Sequence, residues 1–189
     1  MHPVTHFLVG WTVAGASGLD KRDRAIVSIA GIAPDFDGAG IVVELATRES
    51  NTPLLWWSEY HHVLGHNLVF GLIAFLAAAL LARRRLLTAI LSFFVLHLHL
   101  LCDLIGSRGP DGFQWPIPYF WPFLPNVELV WSNQWALNAW PNFVITIVLL
   151  SVTFFLAWKK GFSPLEIISN QADQLFVGAF RKRFGTPQM

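Results

Sequence analysis

The seven histidines of this 189-residue chain fall in three groups: His2 and His6; His61, His62 and His66; His97 and His99. Carboxylates stand beside them at Asp35, Asp37 and Asp103, and the one cysteine, Cys102, leaves no CxxC knuckle and no intrachain disulfide. A bound metal would therefore take its ligands from imidazole and carboxylate. His99 and Asp103 are four residues apart and share one face of a helix, whereas His97 lies about 200° round from His99 and cannot join them. His62 and His66 have the same spacing, that of the paired helical ligands in HExxH sites. His61 is about 140° from His66 and contributes only if it precedes the helix. In Pro34-Asp35-Phe36-Asp37 an extended bias after a helix end would point both carboxylates one way. Each signal has a plainer reading: an HxxxD pair hydrogen-bonded for structure, a PDxD helix stop, a core histidine at His97 bonded to a neighbouring helix, a frayed terminus at His2. Together they carry more weight, because ionisable groups near hydrocarbon are costly and mark functional paths.

The elements that must position these groups are membrane elements. The chain is 54% hydrophobic and 13% charged, with mean hydropathy +0.49, where a soluble domain is about a quarter charged. That excludes a free cytosolic globule, a disordered chain and a nucleic-acid-binding protein. Residues 66–82, 86–102 and 143–158 each run 16 or 17 residues without a formal charge, the short end of what a helical span needs. Residues 4–19 and 25–34 are shorter and rich in Gly and Ala, flanking the charged turn at 20–24. They predict a helical hairpin packed against the spans, with Pro34 stopping its second arm near residue 33. No basic n-region precedes the first apolar stretch, so Met1 to Leu19 is expected to stay in the mature chain.

Eleven of the thirteen basic residues sit at the hairpin turn (Lys21, Arg22, Arg24), between the first two spans (Arg83 to Arg85), and after the third (Lys159, Lys160, Arg181 to Arg183). One topology puts them all on the cytoplasmic side. That side has four acidic residues and a surplus of seven positive charges; the outer side has eight acidic and two basic residues, Arg48 and Arg108, and a surplus of six negative. The formal total of +1 hides this dipole. In the same topology His6, Asp35, Asp37, His61 to His66, His99 and Asp103 all arrive at the outer side.

Residues 107–142 hold six of eleven prolines and five of nine tryptophans. Irregular backbone is forbidden in lipid-exposed hydrocarbon, so this stretch is expected to form an aromatic, Pro-rich cap at the outer interface. Ser163-Pro164-Leu165-Glu166 reads as a helix start. The stripe Leu165, Ile168, Ala172, Leu175, Phe176 and Ala179 then makes either an interfacial amphipathic helix or a helix docked on the inner face of the bundle. The fold expected is an all-α polytopic membrane bundle: a short N-terminal hairpin, three longer apolar helices, the cap, and a C-terminal amphipathic helix. Residues 1–160 would form the membrane-embedded domain and 161–189 the cytoplasmic helix and tail.

Thr5-His6 with Gly10, then Pro34-Asp35-Phe36-Asp37, then HHVLGHN at 61–67, then HLLCD at 99–103 followed by a glycine and Trp121-Pro122-Phe123 resemble, in that order, the YdjM-type membrane-bound metal-dependent hydrolases, and more distantly the zinc-dependent phospholipases C. The resemblance covers residues 5 to about 123. The family pattern selects His61 and His66, with His62 where an arginine is usual, so His61 and His62 both stay open as ligands. What the resemblance implies, taken with the spacing, is a divalent metal, zinc by preference, one ion or two, held by His6, Asp35, His66, His99 and Asp103 with His61 or His62. Such an ion would acidify a water and polarise an ester or phosphoryl oxygen. Asp37 or Glu59 would take the proton, and Arg108 would clamp an anion or simply snorkel. The expected substrate is a lipid or lipid-linked ester at the outer interface of a bacterial inner membrane. The alternative from another class is a non-enzymatic membrane protein whose His and Asp groups bind metal for structure or form a buried polar network.

Overall fold

The computed structural model describes residues 1–109 and 111–187. Its helices are α1 (Pro3–Ala16), α2 (Lys21–Ile32), α3 (Gly40–Thr47), α4 (Trp56–Tyr60), α5 (Leu68–Leu81), α6 (Arg85–Gly106), α7 (Trp140–Lys160) and α8 (Asn170–Phe184), with 3-10 segments at Ala33–Ala39 and Pro164–Ile167. No strand is present among the described residues; two isolated bridges, Arg108 to Ala136 and Ile117 to Leu129, lie in the cap.

The hairpin forms as the sequence predicts. Asp20 caps α2 by accepting from the Asp23 N–H at 3.0 Å, and the two arms touch backbone to backbone. A Cβ on Gly31 would lie 2.9 Å from the His6 carbonyl oxygen and 3.2 Å from the Gly10 Cα. Only glycine permits that approach, and it presses the His6 turn of α1 against the end of α2. Helix α6 packs on α1, α2 and α5, and α7 packs on α1. The core runs through Ala14, Leu19, Val27, Ala30 and Val95, then through Leu96, Leu100 and Ile117.

Three helical stretches are long and apolar enough to cross a membrane: Lys21–Thr47, Arg85–Gly106 and Trp140–Lys160. The second and third match the later two predicted spans. The first predicted span, 66–82, is corrected: α5 has 14 residues, about 21 Å at 1.5 Å per residue, short of the ~30 Å hydrocarbon. It starts late because Asn67, not the histidines, is its N-cap, accepting from the Phe70 N–H at 2.8 Å. The second arm of the hairpin is corrected in the other direction. Pro34 does end α2 at Ile32, but the chain continues helically as 3-10 and then α3 to Thr47. Proline fixes φ near −65° and lacks only an N–H, which the first turn of a new helical segment leaves unbonded anyway. Residues 34–37 are therefore a 3-10 turn and not the extended segment expected.

The cap is irregular and tied to the bundle by polar side chains. Gln134, buried, donates to the Asp103 carbonyl at 2.8 Å. Trp135 Nε1 donates to Asn142 Oδ1 at 2.8 Å, and Asn142 Nδ2 donates to the Gly106 carbonyl at 2.8 Å. Tyr119 accepts from the Leu68 N–H through its carbonyl at 2.9 Å, and its hydroxyl meets His97 Nε2 at 2.9 Å. Phe113, Phe123 and Trp140 stay exposed.

The basic end of the bundle is also built, not merely charged. Asp23, wholly buried, accepts from the Arg83 and Arg84 N–H groups and from the Thr88 hydroxyl at 2.8–3.0 Å. Arg24 forks onto Glu166 with both contacts at 2.7 Å and lies 3.7 Å over the Phe162 ring. Lys160 reaches the Gly15 carbonyl at 2.8 Å, and Arg181 reaches that of Trp158 at 3.1 Å. The basic runs thus converge at one end of the bundle. The tail docks on that end, with a corrected start: Ser163 caps only the short 3-10 turn, and α8 begins separately at the Ser169 cap. Of the predicted stripe Phe176 packs on α7, with Phe180 beside it and Asp173 and Val177 buried, while Ile168 and Leu175 point outward.

Candidate metal centre

Four elements meet at the other end of α6. Helix α6 supplies His99 and Asp103 one turn apart, α1 supplies His6, the 3-10 turn supplies Asp35 and Asp37, and the loop before α5 supplies His62 and His66. Thr88, at the basic end, is 15 residues from Asp103 along α6, so the two polar clusters are about 22 Å apart. His6 Nε2 is 3.0 Å from Asp103 Oδ1. Asp103 Oδ2 is 3.1 Å from His99 Nε2 and 3.4 Å from His66 Nε2. His66 Nε2 and His99 Nε2 face each other at 3.2 Å, and Asp35 Oδ1 is 3.6 Å from His99 Nε2. The Met1 amino group also pairs with Asp103 Oδ1. Donor atoms of His6, Asp35, His99 and Asp103 all lie within 4.8 Å of one another, as do those of His62, His66 and Asp103; Asp103 belongs to both groups.

The hydrogen-bond partners fix which ring nitrogens are free. His99 Nδ1 lies 2.8 Å from the Gly31 carbonyl, which can only accept, so Nδ1 carries the proton and Nε2 presents a lone pair. His66 Nδ1 lies 3.0 Å from the Asp37 carboxylate, with the same consequence. Two lone pairs aimed at each other across 3.2 Å repel unless a proton or another cation lies between them. Burial alone would strip the proton from His66, but hydrogen bonds to Asp103 and Asp37 hold it there and push the pKa up to about 9. A metal ion held here by His66 and His99 would take the place of that proton. Burial, with His66 beside it, pushes His62 the other way, down to about 2. Eight buried side-chain N or O atoms lack a hydrogen-bond partner among the described residues, and four are here: His6 Nδ1, Asp35 Oδ2, His62 Nδ1 and, when His66 Nε2 carries no proton, Asp103 Oδ2. Orphaned groups gathered in one buried cluster fit a site that could hold a metal ion.

The predicted helical His62–His66 pair is corrected. Residues 61–67 are a loop, and His62 sits at φ 67°, a left-handed conformation that costs a non-glycine residue about 1 kcal/mol or more. The loop still brings the two rings together, stacked at 4.3 Å. Two features shape it. Asn67 Nδ2 ties back to the Val63 and Leu64 carbonyls at 2.7 and 3.0 Å. Gly65 packs on the 3-10 turn so closely that a Cβ would lie 2.5–2.9 Å from Pro34 backbone atoms. Backbone cannot swing aside as a side chain can. Gly65→Ala is therefore expected to lower stability by about 1–3 kcal/mol and to displace His66; thermal unfolding in detergent checks it.

The remaining expected site residues are placed as follows. His61 lies outside both donor groups: its Nδ1 is 2.8 Å from Asp37 Oδ1 and its ring stacks on Trp57 at 5.3 Å. Asp37, with His61 and His66 on its two oxygens and the Gly65 N–H on one of them at 3.1 Å, orients His66 and is not itself a member of either group. Glu59 is exposed and lines a cavity with His61 and His62. Arg108 is held by its backbone to Trp135 and Leu137, and its guanidinium makes no ion pair or hydrogen bond among the described residues. His97 is bonded to Phe93 and Tyr119, and His2 lies at the start of α1, tilted 6.3 Å from Phe143. Sequence reasoning missed Asn67, whose signal was legible as an Asn directly before an apolar run. It also missed Trp57, brought to the site by α4, and Trp115 and Gln134, whose proximity to the site comes from the cap.

This order and placement of motifs agree with one known family: the model of the YdjM inner membrane protein family matches residues 1–164. The chain belongs to the YdjM family. The match runs beyond the resemblance ending near residue 123 and takes in α7, so the last span is family sequence as well. Comparisons with curated proteins and with solved structures found no match.

Proposed function

We propose that this YdjM-family protein is a membrane-bound metal-dependent hydrolase, with zinc as its ion, that cleaves a lipid or lipid-linked (phospho)ester at the outer face of the inner membrane. The observation that carries the reading is the triangle of His66 Nε2, His99 Nε2 and an Asp103 oxygen, with edges of 3.1, 3.2 and 3.4 Å. Ligand atoms at 2.0–2.1 Å from a tetrahedral ion lie about 3.3 Å apart, so the donors are already spaced for one. His6 and Asp35 on one side and His62 on the other extend the set beyond one tetrahedral ion, with Asp103 common to both.

A divalent ion held there supplies Lewis-acid polarisation of an ester or phosphoryl oxygen and a water acidified towards neutral pH. The chain does the rest. Gly31 and Asp37 fix the tautomers of His99 and His66, the helix crossing at Gly10 and Gly31 seats His6, and Glu59, exposed in the cavity wall, is assigned to accept the proton. Metal analysis of detergent-purified protein tests the reading. Wild type should retain one to two divalent ions per chain and His66→Ala far less; a metal-free wild type after chelator-free purification overturns it. One observation favours a second reading, a buried polar network without catalysis: protonated His66 closes its own hydrogen bonds to Asp37 and Asp103. Metal content separates the two.

The outer location rests on the basic end of the bundle lying inside. A reporter fused after Lys160 should be cytoplasmic; a periplasmic signal reverses the site's orientation.

A further inference from the structure

Beside the donor cluster lies a cavity of about 570 Å³, within the range of small-molecule sites. Its walls come from α4, the loop before α5 and the cap. Trp57 and Trp115 form one corner, ring centroids 5.9 Å apart and planes at 68°, and His62 closes the floor 4.5 Å from Trp115. His62 is buried, its Nδ1 has no partner among the described residues, and its ring lies in the cavity wall. The charged side chains in the wall are Glu59, Asp111 and Glu128; neither lysine nor arginine lines it among the described residues.

A wall that holds two indoles, with His61 packed between them, and three carboxylates, with neither lysine nor arginine among the described residues, suits a positive charge and repels a negative one. We propose that this cavity receives the cationic end of the ligand: an amine or quaternary ammonium head group, its phosphoester directed at His62 and the cluster behind it. The assignment rests on the reading of that cluster as a lipid phosphoester site, and it adds the substrate class. A neutral sugar head group could stack on the same indoles but would draw nothing from Asp111 and Glu128. A glycerol head group, itself uncharged, would likewise draw nothing from them.

The test is binding, on the full chain in maltoside micelles after removal of metal by chelator. Monomeric dihexanoyl phosphatidylcholine, phosphatidylethanolamine and phosphatidylglycerol are titrated, read by intrinsic tryptophan fluorescence. The choline and ethanolamine probes should bind about tenfold or more tightly than the glycerol probe. Glu128→Gln, at an exposed position, should weaken the two cationic probes several-fold and leave the glycerol probe unchanged. Equal or undetectable binding of the three, tighter binding of the glycerol probe, or indifference of the cationic probes to Glu128→Gln overturns the proposal. Hydrolysis is not read. Selective binding without turnover of any probe by metal-loaded protein therefore counts against the hydrolase reading alone.

Discussion

Asp103→Asn is expected to empty the site. Asp103 is the one residue common to both donor groups, and its two oxygens face His6, His66 and His99 at 3.0–3.4 Å. Losing a partner that only orients a ligand costs about 10–100-fold in metal affinity; losing a shared anionic ligand should cost more than a hundredfold, read as near-zero metal in the purified variant. The same change removes a main attraction holding the proton on His66, whose pKa should fall from about 9. Asparagine keeps the shape and one accepting oxygen, so the helices should remain. Folded, metal-free and inactive protein is the outcome a metal enzyme predicts; collapse of the thermal transition, with wild type itself holding no metal, supports the buried polar network instead. His99→Gln repeats the test from a second ligand. His97→Gln, two residues away on the same helix but bonded to Tyr119 at 2.9 Å, should keep its metal.

Glu166→Gln should act at the opposite end and leave the metal alone. The Arg24 guanidinium is fixed by Glu166 through two 2.7 Å contacts, by the Leu19 carbonyl and by the face of Phe162, with both side chains largely buried. Removing one partner of such a pair leaves a charge without compensation and costs about 3–5 kcal/mol; residual solvent contact puts the expectation near the lower figure. The failure should be local. The segment that carries Glu166 leads into α8, held further by Asp173 on the Ser163 N–H and hydroxyl at 2.6 Å, so the tail should undock and become open to trypsin near Arg181 to Arg183. Metal content should hold, since about 22 Å of α6 separates the two ends. Arg24→Met with Glu166→Leu should recover much of the loss, because an apolar pair of similar volume has no charge to desolvate. Tail release in the double variant as severe as in Glu166→Gln would show that the pair is not what docks the tail.

The part of the site that the sequence made legible was the part encoded locally. His99 and Asp103 are one helical turn apart on a long apolar helix, and no tertiary contact is needed to put them side by side. The glycine-rich hairpin, the later two spans and the opposed charge of the two ends were legible for the same reason: periodicity and composition act within a segment. His62 and His66 have the same spacing as the α6 pair, yet they lie in a loop. What set their geometry was the seat of Gly65 against Pro34 and the Asn67 cap, a contact between segments thirty residues apart. The roles of Asp35 and Asp37 diverged likewise. Two carboxylates in one short turn read alike in sequence, and only the positions of His99 and His66 made one a donor to the cluster and the other the partner that orients an imidazole.

By itself, then, the sequence determined a helical membrane protein with histidines and aspartates gathered at its acidic end, because hydrophobic patterning and charge placement act through the solvent and need no partner. Which ring nitrogens face one another, which carboxylate is shared, and which aromatic walls stand over the site were decided only in the tertiary structure, because each depends on distances of a few ångströms between elements far apart in the chain.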